Sequence, residues 1–287
     1  MAGGTGSRLH PMTKAVNKHL LPVYDKPMIY YPLTTLILAG VTEICLVSTT
    51  QGVQQFRNLL GDGSKWGVSI SYAIQDSAEG IAHAIGIAVS TFKDEQPILV
   101  ILGDNIFFGA GLGRQIAEVA TGDSCVIWTR QVENPEEFGV ARTDLSGKVL
   151  EIVEKPKTSI GNMAITGLYY FPEDLSKHLE SVVLSSRKEY EITSILNSYL
   201  QVERIRTEKI ARGVYWVDTG TVSNLFEASL FVRTIQATQK YFIGSPEEAA
   251  WRQGLVPPEV IISDLKDTKD SSYKNELLSL ISTGLDK

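Results

Sequence analysis

The chain is poor in several features, and each scarcity narrows what it can be. Its 287 residues include two cysteines, Cys45 and Cys125. No disulfide or metal spacing accompanies them, and both sit in apolar strand-like runs, so buried free thiols are expected. No apolar run approaches the ~20 residues of a membrane-spanning helix, and no signal peptide opens the chain. A soluble, cytoplasmic protein without a membrane partner is therefore expected. Basic charge is not in excess: 27 Lys+Arg stand against 33 Asp+Glu, for a net charge of −6. That argues against a basic face that wraps nucleic acid, so any bound phosphate has to be met by a local cluster of cations. The four histidines, His10, His19, His83 and His178, show no H-x-x-x-H spacing and no serine elbow. None is assigned a general-base role. Neither G-x-x-x-x-G-K-[ST] nor G-x-G-x-x-G occurs at the start of the chain.

What is there begins with Ala2-Gly3-Gly4-Thr5-Gly6-Ser7-Arg8-Leu9, followed by Lys18 in Asn17-Lys18-His19-Leu20-Leu21-Pro22. Three glycines in four positions let the backbone turn tightly and approach a ligand, and the N–H groups of such a loop can converge on an anion. Arg8 adds a planar fork for phosphate and Lys18 a point charge. The pattern reads as a triphosphate cradle; the alternative is a glycine-rich turn flanked by two surface cations.

Strand-like and helical runs alternate. Strands are expected at 43–48, 68–74 and 97–102, with helices over 53–60 and 78–90 between them. The continuous apolar run Pro97 to Leu102 suits a strand buried on both faces of a parallel sheet. This alternation predicts an α/β fold with a mostly parallel sheet. The middle is richer in strands, at 124–129, 139–143, 149–154 and 163–171, with Asp144-Leu145-Ser146-Gly147 as a hairpin turn. Helical spacing returns over 221–239, at 246–252 and at 273–281.

Two aspartates follow short apolar runs. Asp104 follows Gly103 at the end of the 97–102 strand, where ligands of open α/β sheets collect; it can be a Mg2+ ligand or a turn-capping residue. Asp218, in Tyr215-Trp216-Val217-Asp218-Thr219-Gly220, can be a second metal ligand or the N-cap of the following helix. Glu154-Lys155-Pro156 ends another strand, and Lys155 can meet a second substrate's phosphate or form a solvated charge pair. Arg187, Lys188 and Glu191 can reach a sugar or phosphate, or form an exposed first turn.

Taken together, Gly3 to Pro11 with Lys18 and Leu21-Pro22-Val23 resembles the signature of sugar-1-phosphate nucleotidylyltransferases. Tyr24-Asp25-Lys26-Pro27-Met28-Ile29-Tyr30-Tyr31-Pro32-Leu33 narrows the resemblance to the branch that uses dTTP and glucose 1-phosphate. Leu60 to Gly67, Leu102 to Phe107, Glu154-Lys155-Pro156, Thr166 to Tyr169 and Trp216 to Thr221 continue it in register.

The resemblance implies a Rossmann-like mixed, mostly parallel sheet with helices on both faces and a helical C-terminal appendage. The expected organisation is a catalytic domain at 1–225 and a helical segment at 226–287 within the same unit. It implies a homotetramer, Mg2+ as cofactor, and conversion of dTTP and α-D-glucose 1-phosphate to dTDP-glucose and pyrophosphate. By motif match Gly3, Gly4, Gly6 and Arg8 hold the triphosphate, and Lys18 with Arg8 neutralises the leaving pyrophosphate. Asp104 and Asp218 hold the metal. Glu154, Lys155, Gly139 and Thr166 hold the sugar phosphate, with Arg187 nearby. His19, Gln75, Gly80 and Asp104-Asn105 line the nucleoside.

The chain departs from the family pattern at His19, where the family usually has Gln, at His83 and at Ser194. UTP or another sugar phosphate is therefore an alternative substrate, and a catalytically impaired, nucleotide-sugar-binding regulatory relative is an alternative class. The family also begins with a short apolar strand leading into the glycine loop. Here the loop starts at Ala2, so the first strand is expected to be missing from the catalytic domain.

Overall fold

The computed structural model describes residues 1–4, 6–92, 95–239, 241–266 and 268–284, so Thr5 of the glycine loop lies outside the described residues. After three short 3-10 turns come the two-residue strands β1 (Pro22–Val23) and β2 (Lys26–Pro27) and helix α1 (Tyr30–Leu38). The expected alternation follows: β3 (Glu43–Ser48), α2 (Thr50–Leu60), β4 (Ser69–Ile74), α3 (Ile81–Val89), β5 (Ile98–Ile101), β6 (Asn105–Phe108) and α4 (Leu112–Val119). Thr49 caps α2 by accepting from the Gly52 N–H, and Gly61 at φ +67° ends it.

The strand-rich middle comprises β7 (Cys125–Gln131), β8 (Gly139–Thr143), β9 (Val149–Glu154) and β10 (Met163–Phe171). Helices α5 (Leu175–Leu179) and α6 (Ile192–Gln201) follow, then β11 (Ile205–Lys209) and β12 (Tyr215–Asp218). Four helices close the chain: α7 (Val222–Gln239), α8 (Pro246–Arg252), α9 (Pro258–Lys266) and α10 (Ser272–Thr283). The β8–β9 hairpin turns where Asp144 was expected to turn it, its Oδ1 accepting from the N–H groups of Ser146 and Lys148.

The sheet is mixed, but the parallel share is smaller than the alternation predicts. β3 with β4 and β7 with β11 are parallel; β10 runs antiparallel to β5, β7 and β8, as β6 does to β12 and β8 to β9. For β8 and β9 the reason is connectivity: a short turn joins them, and only a crossover of a dozen or more residues can make neighbours parallel. Strand β10 occupies the centre, buried from Ala164 to Phe171, and its register against β7 shifts between Ile165 and Tyr169 around Gly167, which has φ +77°. A glycine at an irregularity of this kind lets the strand bend.

Helices α8, α9 and α10 share one apolar cluster with α1, α2, β3 and β4, through residues such as Ile37, Phe56, Trp66, Ala250, Ile261 and Leu277. Cys125 is buried and Cys45 half-buried, and both are free thiols. No helix among the described residues is long and apolar enough to cross a membrane. The His178 ring stacks on Tyr199, with 3.6 Å between ring centroids.

Met1 and Ala2 sit between β3 and β5. The Met1 nitrogen donates to Ile101 O at 3.0 Å, the Gly103 N–H donates to Met1 O at 2.8 Å, and the Ala2 N–H donates to Val47 O at 2.8 Å. These bonds join the carboxyl ends of the two strands. Toward their amino ends, among the described residues, β3 is laddered only to β4 and β5 only to β10. A cavity of 470 Å3 lies there, lined by Cys45 and Leu46, Leu99 and Val100, Leu36 and Ile116.

Candidate active site

The site gathers where the glycine loop, the ends of β5 and β12, and the 17–20 turn meet. The loop wraps a lysine. A Cβ on Gly6, whose φ is +63°, would stand 2.8 Å from Thr13 Cγ2 and 2.9 Å from Lys18 Cβ. A Cβ on Gly4 would stand 3.4 Å from Lys18 Cε. Glycine is thus required by sterics at Gly6 and leaves the backbone beside the ammonium open. Asn17 sets the turn that carries the lysine: its Oδ1 accepts from the His19 N–H at 3.0 Å. Its Nδ2 reaches Ala2 O at 3.3 Å. Asn17 was not singled out from sequence; an Asn two residues before a turn N–H is the signal that marks it.

Lys18 forms an ion pair with Asp104 Oδ2 in a largely buried setting, with side-chain exposures of 11% and 15%. Burial pushes the Asp104 carboxyl up, but Lys18 and its neighbours outweigh it and bring the carboxyl down to about 2. Asp218 is drawn to the same place by strand pairing. It lies opposite Asn105 in the β6–β12 ladder, and Thr219 donates to Asp104 O through both its N–H (2.9 Å) and its hydroxyl (2.7 Å). Burial, and then the charge of Asp104, raise the Asp218 carboxyl to about 6. Arg8 approaches from the loop: a Cβ on Gly220 would lie 2.7 Å from its Nη2. Four charged groups from four separate segments therefore converge.

The two carboxylates fit a Mg2+ ion. They are hard oxygen donors, and a bound cation relieves the mutual repulsion that adds to burial in holding the Asp218 carboxyl above the usual carboxylate range. No cluster of three or more metal-binding side chains exists among the described residues. Two carboxylates are the protein share Mg2+ takes when substrate phosphate and water complete the shell.

A second group lies around Glu154 at the end of β9. Arg187 brackets it, with Nη1 3.5 Å from Glu154 Oε1 and Nε 3.7 Å from Glu191 Oε1. Burial first, then the Glu191 charge, raises the Glu154 carboxyl. A Cβ on Gly139 would stand 3.3 Å from Glu154 Oε2, so the glycine makes room for that carboxylate. Lys155, exposed and at φ +42°, donates its N–H to Phe138 O at 3.0 Å. Gln75 and Gly80 also come together, Gln75 Nε2 donating to Gly80 O at 3.1 Å, with Gln75 Oε1 turned toward Gly3.

Two expected substrate contacts are placed elsewhere. Thr166 is fully buried in the central strand, and its hydroxyl donates to Trp128 O at 2.9 Å. His19 is 2% exposed, with Nδ1 2.8 Å from Asn17 Oδ1. Burial pushes its imidazole down to about 3. It is a neutral interior ring whose Nδ1 already meets Asn17, because the turn that presents Lys18 to Asp104 points its neighbour into the interior.

Comparison with known proteins shows the family. The family model described as nucleotidyl transferase matches residues 1–235. The glucose-1-phosphate thymidylyltransferase of Mycolicibacterium smegmatis is 42% identical over 281 residues, covering 98% of this chain and 97% of that protein. That of Xanthomonas campestris pv. campestris is 41% identical over 285 residues, covering 99% and 96%. Among solved structures, a Bacillus anthracis protein provisionally assigned the same activity, in complex with a sucrose, superposes with a TM-score of 0.73 at 36% identity, over 81% of this chain and 93% of that one. This chain belongs to the nucleotidyl transferase family, in the branch of the glucose-1-phosphate thymidylyltransferases.

Proposed function

We propose that the protein transfers a thymidylyl group from dTTP to α-D-glucose 1-phosphate, releasing pyrophosphate and forming dTDP-glucose. The observation that carries this reading is the convergence of Arg8, Lys18, Asp104 and Asp218 against the glycine loop, in a chain full-length similar to thymidylyltransferases.

Both substrates are anionic, so their approach is opposed by repulsion unless cations stand between them. In the proposed arrangement the loop N–H groups around Gly3, Gly4 and Gly6 hold the triphosphate. A phosphate oxygen of glucose 1-phosphate attacks the α-phosphorus in line, a new P–O bond forms, and the bond to the β-phosphate oxygen breaks with its electron pair leaving on pyrophosphate. Arg8 and Lys18 neutralise the leaving group. Lys155 meets the sugar phosphate and Glu154 the sugar, with Arg187 setting the carboxylate. Gln75 and Gly80 line the nucleoside. The nucleophile is already ionised, so positioning and charge neutralisation do the catalysis and no general base is required. Asp104 and Asp218 would hold Mg2+, which when bound supplies further neutralisation of the phosphate oxygens. A cytoplasmic homotetramer belongs to this proposal as well.

The deciding experiment measures pyrophosphate release with Mg2+ for a panel of nucleoside triphosphates against several sugar 1-phosphates. dTTP with glucose 1-phosphate is expected to give the highest kcat/KM; no release with any pair would sink the enzyme reading. The two ends of the site should also separate kinetically. Arg8→Ala is expected to lower kcat more than it raises the KM for sugar phosphate, because its partner is the leaving group. Lys155→Ala is expected to raise that KM. Reversed phenotypes would mean that the cradle is oriented the other way.

A further inference from the structure

Asp104 does not stand free at its strand end. One oxygen, Oδ2, is paired with Lys18, and the other, Oδ1, accepts from Asn105 Nδ2 at 3.1 Å. Asn105 is itself buried, at 4% exposure. Its amide oxygen accepts from Trp216 Nε1 at 2.8 Å, and the same indole N–H lies 3.0 Å from Thr166 O. The polarity of this chain is set at both ends. An indole N–H can only donate and an ionised carboxylate can only accept, so the amide between them has one workable orientation. Oxygen faces Trp216 and NH2 faces Asp104.

The surroundings hold the amide in place. Gly167, at φ +77° in the bulged centre of β10, brings its backbone so close that a Cβ there would stand 2.9 Å from Asn105 Nδ2. Trp216 is carried by β12 in register with Phe107 and leans on Phe138 at 5.6 Å between ring centroids. The arrangement thus runs from the β10 backbone through an indole and a carboxamide to one oxygen of the Asp104 carboxylate.

We propose that Asn105 is a positioning residue for Asp104 rather than a nucleoside contact, and that Trp216 sets its orientation. The inference rests on the reading that Asp104 serves the phosphate end of the site. Its physical content is orientational. With Lys18 on one oxygen and Asn105 on the other, the carboxylate cannot rotate about its terminal bond. Without the indole donor the amide can turn and present its oxygen to Asp104, acceptor against acceptor.

The test uses Trp216→Phe, which keeps an aromatic ring on β12 and removes the N–H, with Asn105→Ala and the double variant. Trp216→Phe is expected to lower kcat by ~10-fold while the KM values for dTTP and glucose 1-phosphate stay within ~2-fold, the size of one misdirected charge-assisted hydrogen bond. Binding of Mn2+ in the presence of dTTP alone, followed by electron paramagnetic resonance, is expected to weaken by a similar factor. Because the two residues act in series, the double variant should be no worse than Asn105→Ala. Unchanged kcat and Mn2+ affinity in Trp216→Phe would overturn the proposal. So would strictly additive effects, or a loss confined to the KM for glucose 1-phosphate, which would make the indole a sugar contact. If Asp104→Asn proves fully active, the reading of the site has failed. The relay is then judged separately by 15N spectra: a shift of the Asn105 side-chain amide in Trp216→Phe upholds it, and an unmoved signal ends it.

Discussion

Asp104→Asn and Asp218→Asn are each expected to lose at least ~10²-fold in turnover, the scale of removing one major charge contact to a transition state. The reasoning starts from burial. Two carboxylates at adjacent strand ends repel each other, and the Asp218 carboxyl is held up to about 6, by burial and then by Asp104. A protein at neutral pH gains nothing in stability from that arrangement, so it is the kind of strain that persists where function requires it. The two variants should therefore differ in stability although they agree in activity. Asp218→Asn removes a repulsion and is expected to raise Tm slightly. Asp104→Asn leaves the buried Lys18 ammonium without its partner and is expected to lower it, since breaking a buried pair exposes an uncompensated charge. Pyrophosphate release with saturating substrates and Mg2+, together with a melting curve for each variant, checks both halves. Near-normal turnover in either variant would falsify the metal assignment.

The second large effect concerns the space between β3 and β5. A chain extended before Met1 by roughly four to five apolar, β-branched residues is expected to melt several degrees higher and to turn over faster. Met1 and Ala2 already bridge the carboxyl ends of both strands, so residues ahead of them would run between the same strands into the 470 Å3 cavity. There they would meet Cys45 and Leu46 on one side and Leu99 and Val100 on the other. Each apolar side chain taken out of water contributes ~1.5–3 kcal/mol, and ordering each residue's backbone costs ~1–2 kcal/mol. Apolar burial together with new ladder hydrogen bonds on both edges leaves a net gain of a few kcal/mol, and ~2–4 °C per kcal/mol is the scale for a chain approaching this size. Activity should follow because the same two residues lead directly into Gly3, Gly4 and Gly6. A lead of equal length made of Gly and Ser is the control. Equal Tm for the apolar lead, the polar lead and the chain as it stands would defeat the argument.

Much of the architecture is legible along the chain. The strands at 43–48, 139–143, 149–154 and 163–171 lie where apolar runs and turn residues place them. Helices at 222–239 and 246–252 follow helical spacing and the Ser245-Pro246 start, with Ser245 capping the Glu248 N–H. Other elements were not legible. α1 and the short strands β6 and β11 lack clean periodicity: Tyr31, Pro32, Leu33, Thr34, Thr35, Leu36 and Ile37 are all buried, so α1 shows no polar face to betray its period. The direction of β10 was equally hidden, because a strand buried on both faces reads the same whichever way its neighbours run.

By itself the sequence determined the chemical kinds of the site. The three glycines, Arg8, Lys18, the two aspartates and Glu154-Lys155 are local patterns, and a local pattern carries its residue types and spacing whatever the fold. Only the tertiary structure decided who meets whom. Asp104 and Asp218 are brought together by the β6–β12 ladder, and Glu154 and Arg187 by the packing of the 185–191 turn against β9. It decided equally which plausible residues face inward. His19 and Thr166 look available in sequence, yet one is turned into the interior by the Asn17 turn and the other spends its hydroxyl on the backbone of β7. The roles of Asn105 and Trp216 belong wholly to this second class: a hydrogen bond between residues 111 positions apart leaves no trace in either one's neighbours along the chain.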